Sequence, residues 1–309
     1  MSKIFITGHK NPDTDSICSA LGYAALKRSQ GVEAVAVRLG SISKETQYAL
    51  DFFQAEAPEL IQSAEAKQPV ILVDHNEPAQ SVDGLAEAEL LEIVDHHRLG
   101  GLNTANPIFV HIEPVGCTAT IIAGMFECRK AELSKKTAGV LLSAIISDTV
   151  LFKSPTCTEK DKKTAEKLAS IAGVDLQEYG MAMLKAGADL GDLTPAQIVR
   201  TDSKPFSFGS YKAIVSQISV MDTTDILAQK NELTAAMQEL CAAEGYDLAL
   251  LMVTDIMEES SELVFVGEPK QLIADAFGKD ASGDSIYLPG VMSRKKQIVP
   301  QLTEAAAKL

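Results

Sequence analysis

Three short apolar segments of the sequence each end in aspartate and histidine. The run 4–6 leads into the loop 7–16, which contains His9, Asp13 and Asp15. The run 70–73 ends at Asp74, and the run 91–94 ends in the triplet Asp95-His96-His97. Carboxylate and imidazole ligands without thiolate are typical of sites for Mn²⁺, Mg²⁺, Co²⁺ or Zn²⁺. For the first segment taken alone, an Asp/Asn turn that caps the next helix is the alternative.

The apolar character of these segments indicates how they are placed. Short continuous apolar runs are typical of strands buried on both faces of a parallel sheet. In such sheets ligands bind outside the carboxyl ends of the strands, so polar residues that are distant in sequence can converge there. Asp148 ends another apolar stretch, 138–146, and is a fourth candidate. Helix capping or a solvated helix end is the alternative for Asp148 alone.

Composition limits the classes of function. The chain has 309 residues, of which 46% are hydrophobic, enough for a sizeable core in one large or two ordinary domains. Its net charge of −14 argues against binding along a nucleic acid backbone. Five cysteines without a CxxC spacing indicate reduced thiols. With neither a signal peptide nor a membrane span in the sequence, we expect a cytoplasmic protein without membrane contacts.

Strand and helix signals alternate through the first half, which predicts an α/β fold with a mostly parallel sheet wrapped by helices. Two glycines, two aspartates and a proline at 186–195 indicate a linker. After it the pattern predicts a smaller α/β domain, with one long helix over 224–244 and a strand pair at 248–254 and 263–266. We therefore expect two domains, at 1–187 and 196–309, joined by a hinge at 188–195.

A basic segment, Ser293-Arg294-Lys295-Lys296-Gln297, stands out in this acidic chain. Cations at a helix N-terminus oppose the helix dipole, which favours an anionic partner there. Arginine can bind phosphate through two hydrogen bonds, and lysine acts as a point charge. Lys204 is a further candidate. A solvated helix start is the alternative for the basic segment, and a surface lysine before a strand is the alternative for Lys204.

Three of these motifs together resemble the family II inorganic pyrophosphatases of the DHH phosphoesterase superfamily. They are the loop Gly8-His9-Lys10-Asn11-Pro12-Asp13-Thr14-Asp15, the Asp95-His96-His97 triplet and the segment 293–297. The first two motifs are shared across the superfamily, and the basic segment is the more specific one for pyrophosphatases. The resemblance extends over essentially the whole chain.

The resemblance implies a role for each matching residue. His9 and Asp13 look like terminal ligands of one metal ion, Asp15 and His96 like ligands of a second, and Asp74 and Asp148 like bridging ligands. His97 resembles a histidine that donates a proton near the substrate. Lys204, Arg294 and Lys295 resemble a phosphate clamp. The family also implies a homodimer. Six carboxylate and imidazole ligands without thiolate favour Mn²⁺, two per subunit, with Co²⁺ as a substitute. Mg²⁺ binds imidazole poorly, so we expect it to be bound with the substrate.

The implied reaction is hydrolysis of pyrophosphate to two phosphates. Two divalent ions about 3.5–4 Å apart can share a water and lower its pKa, so that a bridging hydroxide attacks phosphorus. The resemblance thus implies that 1–187 is a metal-binding catalytic domain and 196–309 a substrate-clamp domain. The expected active site is an interdomain cleft that closes around the substrate.

Three other functions compete with this interpretation. A DHH phosphodiesterase acting on short RNA or cyclic dinucleotides would carry a glycine-rich, histidine-containing motif in its C-terminal domain, and the sequence has none. A polyphosphatase would share most of the metal ligands. A non-catalytic metal or phosphate-binding regulator would be favoured if a ligand were missing, and all six are present.

Overall fold

A computed structural model of the chain describes residues 3–191 and 193–308, and it divides into two compact units. The first comprises Met1–Ala186 and the second Gly187–Leu309. Asp192, within the segment predicted to be a hinge, lies outside the described residues. The hinge and the roles assigned to the two domains stay predictions.

The first unit contains a six-stranded sheet in which every described pairing is parallel. Its strands are β1 (Ile4–Thr7), β2 (Ala34–Arg38), β3 (Glu59–Leu60), β4 (Pro69–Val73), β5 (Glu89–Asp95) and β6 (Phe109–Ile112). The order across the sheet is β3-β2-β1-β4-β5-β6. The direction of winding therefore reverses between β1 and β4, which lie side by side.

The described residues of this unit form six α-helices: α1 (Thr14–Ser29), α2 (Lys44–Phe52), α3 (Thr118–Cys128), α4 (Lys135–Thr149), α5 (Glu159–Ala172) and α6 (Leu176–Ala188), of which α6 runs two residues past the unit boundary. A short 3-10 helix spans Pro78–Gln80. Ser43, Ser134 and Thr158 cap α2, α4 and α5 by accepting hydrogen bonds from the first helical turn. Helix α1 is buried along most of its length, where it packs against α3 and α4. The predicted α/β class with a parallel, helix-wrapped sheet is confirmed.

The second unit contains a smaller, mixed sheet. Its strands are β7 (Lys204–Phe208), β8 (Tyr211–Val220), β9 (Leu248–Asp255), β10 (Ser260–Gly267) and β11 (Ser285–Pro289), in the order β11-β10-β9-β8-β7. Only the β8–β9 pairing among these is parallel. The helices are α7 (Pro195–Ile198), α8 (Thr224–Ala228), α9 (Lys230–Glu244), α10 (Lys270–Phe277) and α11 (Val299–Ala306). A π-helix at Arg294–Ile298 leads into α11.

The structure departs from the sequence prediction in two places in this unit. The helix predicted over 224–244 is two helices, α8 and α9, which are separated at Gln229. Strands β7 and β11 were not predicted. Both are edge strands and both contain proline, Pro205 and Pro289, which weakens the strand signal but is tolerated at an edge. Among the described residues, no helix combines the length and apolar character needed to cross a bilayer.

Candidate metal centre

The candidate site lies where the strand order of the first sheet reverses. In doubly wound sheets the crevice at this point, outside the carboxyl ends of the strands, is the usual ligand site. The loops after the neighbouring strands β1 and β4 carry His9 and Asp74, and β5 ends at Asp95 beside them. The sheet therefore brings the three predicted ligand segments to one edge.

Gly8 allows the loop after β1 to approach the first turn of α1 closely. A Cβ at this position would lie 2.5 Å from Ser16 Cβ and 2.8 Å from Ser16 Cα, so no larger residue fits without a backbone shift. The Ser16 hydroxyl accepts a hydrogen bond from the His9 backbone N–H at 3.3 Å and donates one to Asp74 Oδ2 at 2.9 Å. Ser16 thus connects the loop to the end of β4.

Asp13 caps α1, and its position is also compatible with the predicted role as a metal ligand. Its Oδ1 accepts a hydrogen bond from the Ser16 backbone N–H and caps α1. Its Oδ2 lies 3.3 Å from His9 Nε2. One carboxylate oxygen can therefore stabilise the helix start while the other faces the candidate site.

Asp74 occupies the centre of the site. It is buried and has a left-handed backbone, with φ at +60°. Such a conformation is strained for a non-glycine residue and is concentrated at functional sites. Its Oδ2 lies 3.4 Å from His9 Nε2, and its Oδ1 lies 3.5 Å from His96 Nε2. The two oxygens therefore face two different imidazoles.

Asp15 and Asp148 complete the group around His96. His96 Nε2 lies 3.7 Å from Asp148 Oδ2, and one ligand atom each from Asp15, His96 and Asp148 lie within 4.8 Å of one another. The same limit groups His9 with Asp13 and Asp74. A third group contains Asp74, His96 and His97. The third group shares His96 with the first and Asp74 with the second. All six predicted metal ligands are therefore connected through these two residues.

The orientation of the imidazoles fits metal ligation. His9 Nδ1 hydrogen-bonds the Lys10 carbonyl at 2.7 Å, and His96 Nδ1 hydrogen-bonds the Val115 carbonyl at 3.1 Å. Each carbonyl can only accept, so each Nδ1 carries the proton. A neutral ring then directs the lone pair of Nε2 towards carboxylate oxygens, and this pattern is typical of metal-bound histidine.

The negative charges of the clustered carboxylates also favour the binding of a cation. Burial raises the pKa of Asp74 well above its usual range, and the charges of Asp15, Asp13 and Asp148 raise it further. Burial likewise raises the pKa of Asp15. Four aspartates in one site therefore oppose one another's ionisation unless positive charge lies between them. Two divalent cations would supply that charge, so the donor set fits the predicted metal pair.

Asp95 is a residue whose role the sequence prediction missed. Its Oδ1 accepts hydrogen bonds from His97 Nδ1 at 2.8 Å and from the backbone N–H groups of His96 and His97. Its Oδ2 accepts from Asn76 Nδ2 at 2.6 Å. Burial opposes its charge, but the hydrogen bonds from His97 and Asn76 outweigh that effect, so the pKa of Asp95 is lowered. Asp95 therefore orients the triplet as an ionised acceptor.

Glu45 in α2 is a second residue that the prediction missed. Its Oε1 accepts hydrogen bonds from Thr14 Oγ1 at 2.7 Å and from the Ser147 hydroxyl. Thr14 stands between two candidate ligands, and Ser147 precedes Asp148. Glu45 thus joins two ligand-bearing segments. In the sequence Glu45 is recognisable only as an acidic residue in the first turn of an amphipathic helix, which does not indicate this role.

The three predicted clamp residues belong to the second unit. Lys204 is the first residue of β7 and pairs in register with Val215 of β8. Arg294 is buried and donates through Nη1 to the carbonyl oxygens of Val215 and Asp202. Lys295 is exposed on the π-helix. Lys204 and Arg294 are therefore brought to one part of this sheet, and their role as a clamp stays a prediction.

Comparison with known proteins adds an independent observation. Residues 3–145 match the family model of the DHH N-terminal domain, and residues 181–305 match that of the DHHA2 domain. The manganese-dependent inorganic pyrophosphatase of Bacillus subtilis (strain 168) is 47% identical over all of both chains. A crystal structure from Methanococcus jannaschii, assigned to family II inorganic pyrophosphatases, is 44% identical with a TM-score of 0.88, covering 98% of this chain and 99% of its own. This chain belongs to the family II inorganic pyrophosphatases.

Other relatives agree with the family II assignment. A Bacillus licheniformis protein assigned the name manganese-dependent inorganic pyrophosphatase is 50% identical over 99% of both chains. An exopolyphosphatase-related protein of Bacteroides fragilis has a TM-score of 0.50 at 15% identity, covering 99% of this chain and 92% of its own, which shows the fold alone. The resemblance to family II pyrophosphatases drawn from the motifs is therefore confirmed.

Proposed function

We propose that this protein hydrolyses inorganic pyrophosphate to two phosphates with two Mn²⁺ bound per subunit. The observation that carries the proposal is the pair of Asp74 oxygens, each facing a different imidazole at about hydrogen-bond distance, 3.4 Å for His9 and 3.5 Å for His96. A carboxylate in that position can ligate two cations at once. The names of full-length relatives at 47–50% identity support the same reaction.

In this proposal His9 and Asp13 would hold one ion, Asp15 and His96 would hold the second, and Asp74 and Asp148 would contribute to both. Bound divalent ions would supply Lewis-acid activation of water and offset the charge of the substrate. The ligand set contains two imidazoles and no thiolate, which suits Mn²⁺, with Co²⁺ as a substitute. Mg²⁺ binds imidazole poorly and would enter with the substrate.

His97 would deliver a proton to the leaving phosphate. Asp95 accepts the hydrogen bond from Nδ1 at 2.8 Å, so the proton that is transferred would be at Nε2. The ionised Asp95 stabilises the imidazolium form that His97 must adopt before transfer. The His97 side chain is 29% accessible, so a ligand could approach its ring. The same geometry keeps the ring fixed during the reaction.

Lys204, Arg294 and Lys295 would bind the phosphate groups and stabilise the charge that develops on the leaving group. The metal ligands belong to the first unit and these cations to the second. We further propose that the protein works as a homodimer in the cytoplasm, where its five free cysteines stay reduced.

An assay of phosphate release tests the function. Protein loaded with Mn²⁺ and supplied with excess Mg²⁺ is given pyrophosphate, tripolyphosphate or a linear dinucleotide in parallel. We expect pyrophosphate to be hydrolysed at least about tenfold faster than tripolyphosphate, with the dinucleotide left intact. Preference for tripolyphosphate would identify a polyphosphatase, and cleavage of the dinucleotide a phosphodiesterase. Either result would overturn the proposal.

A further inference from the structure

Asp161 of α5 is a fully buried carboxylate outside the candidate ligand set. It is the third residue of α5 and completes a capping box with Thr158, whose backbone N–H and hydroxyl donate to Oδ2 at 2.7 and 2.6 Å. Of these two bonds, the capping box needs only the one from the Thr158 backbone N–H; its other bond runs from the Asp161 backbone N–H to Thr158 Oγ1 at 3.4 Å. Asp161 accepts two more, and both come from a distant segment of the chain.

The additional donors lie at the start of α3. The Gly116 backbone N–H donates to Asp161 Oδ2 at 2.9 Å, and Thr120 Oγ1 donates to Oδ1 at 2.6 Å. The approach is close, because a Cβ on Gly116 would lie 2.9 Å from Asp161 Oδ2. A single carboxylate therefore fixes the segment 116–120 at both ends.

The segment held by Asp161 is the one that orients the candidate metal ligands. The Val115 carbonyl accepts the hydrogen bond from His96 Nδ1, as described above. The backbone N–H groups of Thr118 and Ala119 donate to the two oxygens of Asp15, at 2.7 and 3.2 Å. Thr118 Oγ1 also donates to Asp74 Oδ1 at 3.3 Å. Three proposed ligands thus depend on the position of this one segment.

We propose that Asp161 is a positioning residue of the metal centre, acting through the segment 115–120 on Asp15, Asp74 and His96. The inference rests on the proposed function, since it assigns a role in holding the metal pair. Partners that orient metal ligands set affinity, and their loss typically weakens metal binding or activity by about 10–100-fold. A residue that only capped α5 would affect stability alone.

Titration with Mn²⁺, followed by the electron paramagnetic resonance of the free ion, tests this role in three variants. Asp161→Ala removes all four acceptor bonds. Asp161→Asn is the conservative variant, because its amide oxygen can replace Oδ2 and its NH₂ can donate to the Thr120 hydroxyl. Thr158→Ala is the matched control, because it removes the Thr158 side chain from the cap and leaves the bonds to Gly116 and Thr120.

We expect Asp161→Ala to raise the Kd for Mn²⁺ at least about tenfold, which is within the range found when a partner that orients metal ligands is lost. Asp161→Asn should stay within about threefold of the wild type, and Thr158→Ala within twofold although it unfolds at lower urea concentration. If Asp161→Ala does not fold, Gly116→Ala replaces it. The added Cβ would lie 2.9 Å from both Asp161 Oδ2 and Thr149 Cγ2, so it displaces the segment 115–120 from Asp161. This variant should raise the Kd for Mn²⁺ at least about fivefold relative to Thr158→Ala.

An unchanged Kd in the folded Asp161→Ala variant, or in Gly116→Ala where that replaces it, would overturn the inference. An equal rise in the Kd for Mn²⁺ of the Thr158→Ala variant would also overturn the inference. Absence of Mn²⁺ binding by the wild-type protein would overturn the proposed function and this inference together. The two failures are therefore distinguished by the wild-type titration.

Discussion

The Arg294 guanidinium binds both carboxylate oxygens of Asp202 through Nη2, at 2.9 and 3.0 Å. Its Nη1 donates to the carbonyl oxygens of Asp202 and Val215. This arrangement fixes the plane of a buried cation and uses the fork-like geometry that only arginine has. A lysine at this position would retain the positive charge, but without the planar guanidinium it could not form this set of hydrogen bonds.

The neighbouring cations Arg294 and Lys295 should therefore respond differently to substitution. We expect Arg294→Lys, Arg294→Ala and Lys295→Ala all to raise the KM for pyrophosphate, by about tenfold or more where a phosphate contact is lost. Only the two Arg294 variants should also lose stability, by about 1–3 kcal/mol, because their buried hydrogen bonds to a charged group are broken. Steady-state kinetics and urea unfolding measure the two effects, and elemental analysis should find unchanged metal. Wild-type KM in Arg294→Lys would contradict the argument.

Asp148 provides the second prediction. Asp148→Asn should nearly abolish turnover with the fold intact, because an amide is a poorer ligand than a carboxylate and the position adjoins His96 at 3.7 Å. Asp51→Asn, a change at an exposed site in α2, is the control for substitution as such. Circular dichroism and the rate of phosphate release are the measurements. Retention of more than about a tenth of the wild-type rate, a loss under roughly 1.4 kcal/mol of barrier, would count against the assignment.

The third prediction concerns the choice of metal. Protein stripped by a chelator should regain most of its activity with Mn²⁺ or Co²⁺ in the presence of excess Mg²⁺. Mg²⁺ alone should restore little, because both imidazoles present their Nε2 lone pairs to the site and Mg²⁺ prefers oxygen ligands. The measurement is activity after addition of each metal at micromolar concentration. Full recovery with Mg²⁺ alone would indicate that the histidines do not ligate the metal.

The edge strand β6 is the surface at which we expect the homodimer to form. Phe109 and Val110 are apolar and are 44% and 47% exposed on this strand. An open parallel edge with exposed apolar side chains favours pairing with a second chain. Val110→Lys should therefore give a monomer in analytical ultracentrifugation. Tyr287→Lys, on the edge strand β11 of the other sheet, should leave the dimer intact. A dimeric Val110→Lys protein would exclude this edge as the interface.

The clustering of the candidate metal ligands could be predicted because their signal is local. Each lies at or just after the end of an apolar strand or helix, and in a parallel sheet the strand ends are known to meet. The residues that orient the ligands have no such signal. Asn76 reaches Asp95, and Asp161 reaches Gly116, only after the loops and α5 have packed. In the sequence Asp161 is one acidic residue in the first turn of an amphipathic helix, where a cap is the ordinary explanation.

The prediction of secondary structure is likewise weakest for the edge strands of the sheets. Central strands such as β4 and β9 are continuous apolar runs, and their burial on both faces makes the sequence pattern strong. Strands β7 and β11 are half-exposed, so their pattern is weak and proline hides it further. The break between α8 and α9 has no glycine or proline to mark it. Tertiary contacts determine such elements.

The parallel order of the first sheet also determines when the metal centre can exist during folding. Strand β1 must pair with β4 before His9 can meet Asp74, and α4 must then pack before Asp148 joins them. Non-local parallel pairing of this kind forms slowly. An early folding species would therefore lack a site for the ion. If the ion binds only the completed fold, Mn²⁺ should slow the unfolding of the first unit and leave the rate of its refolding almost unchanged.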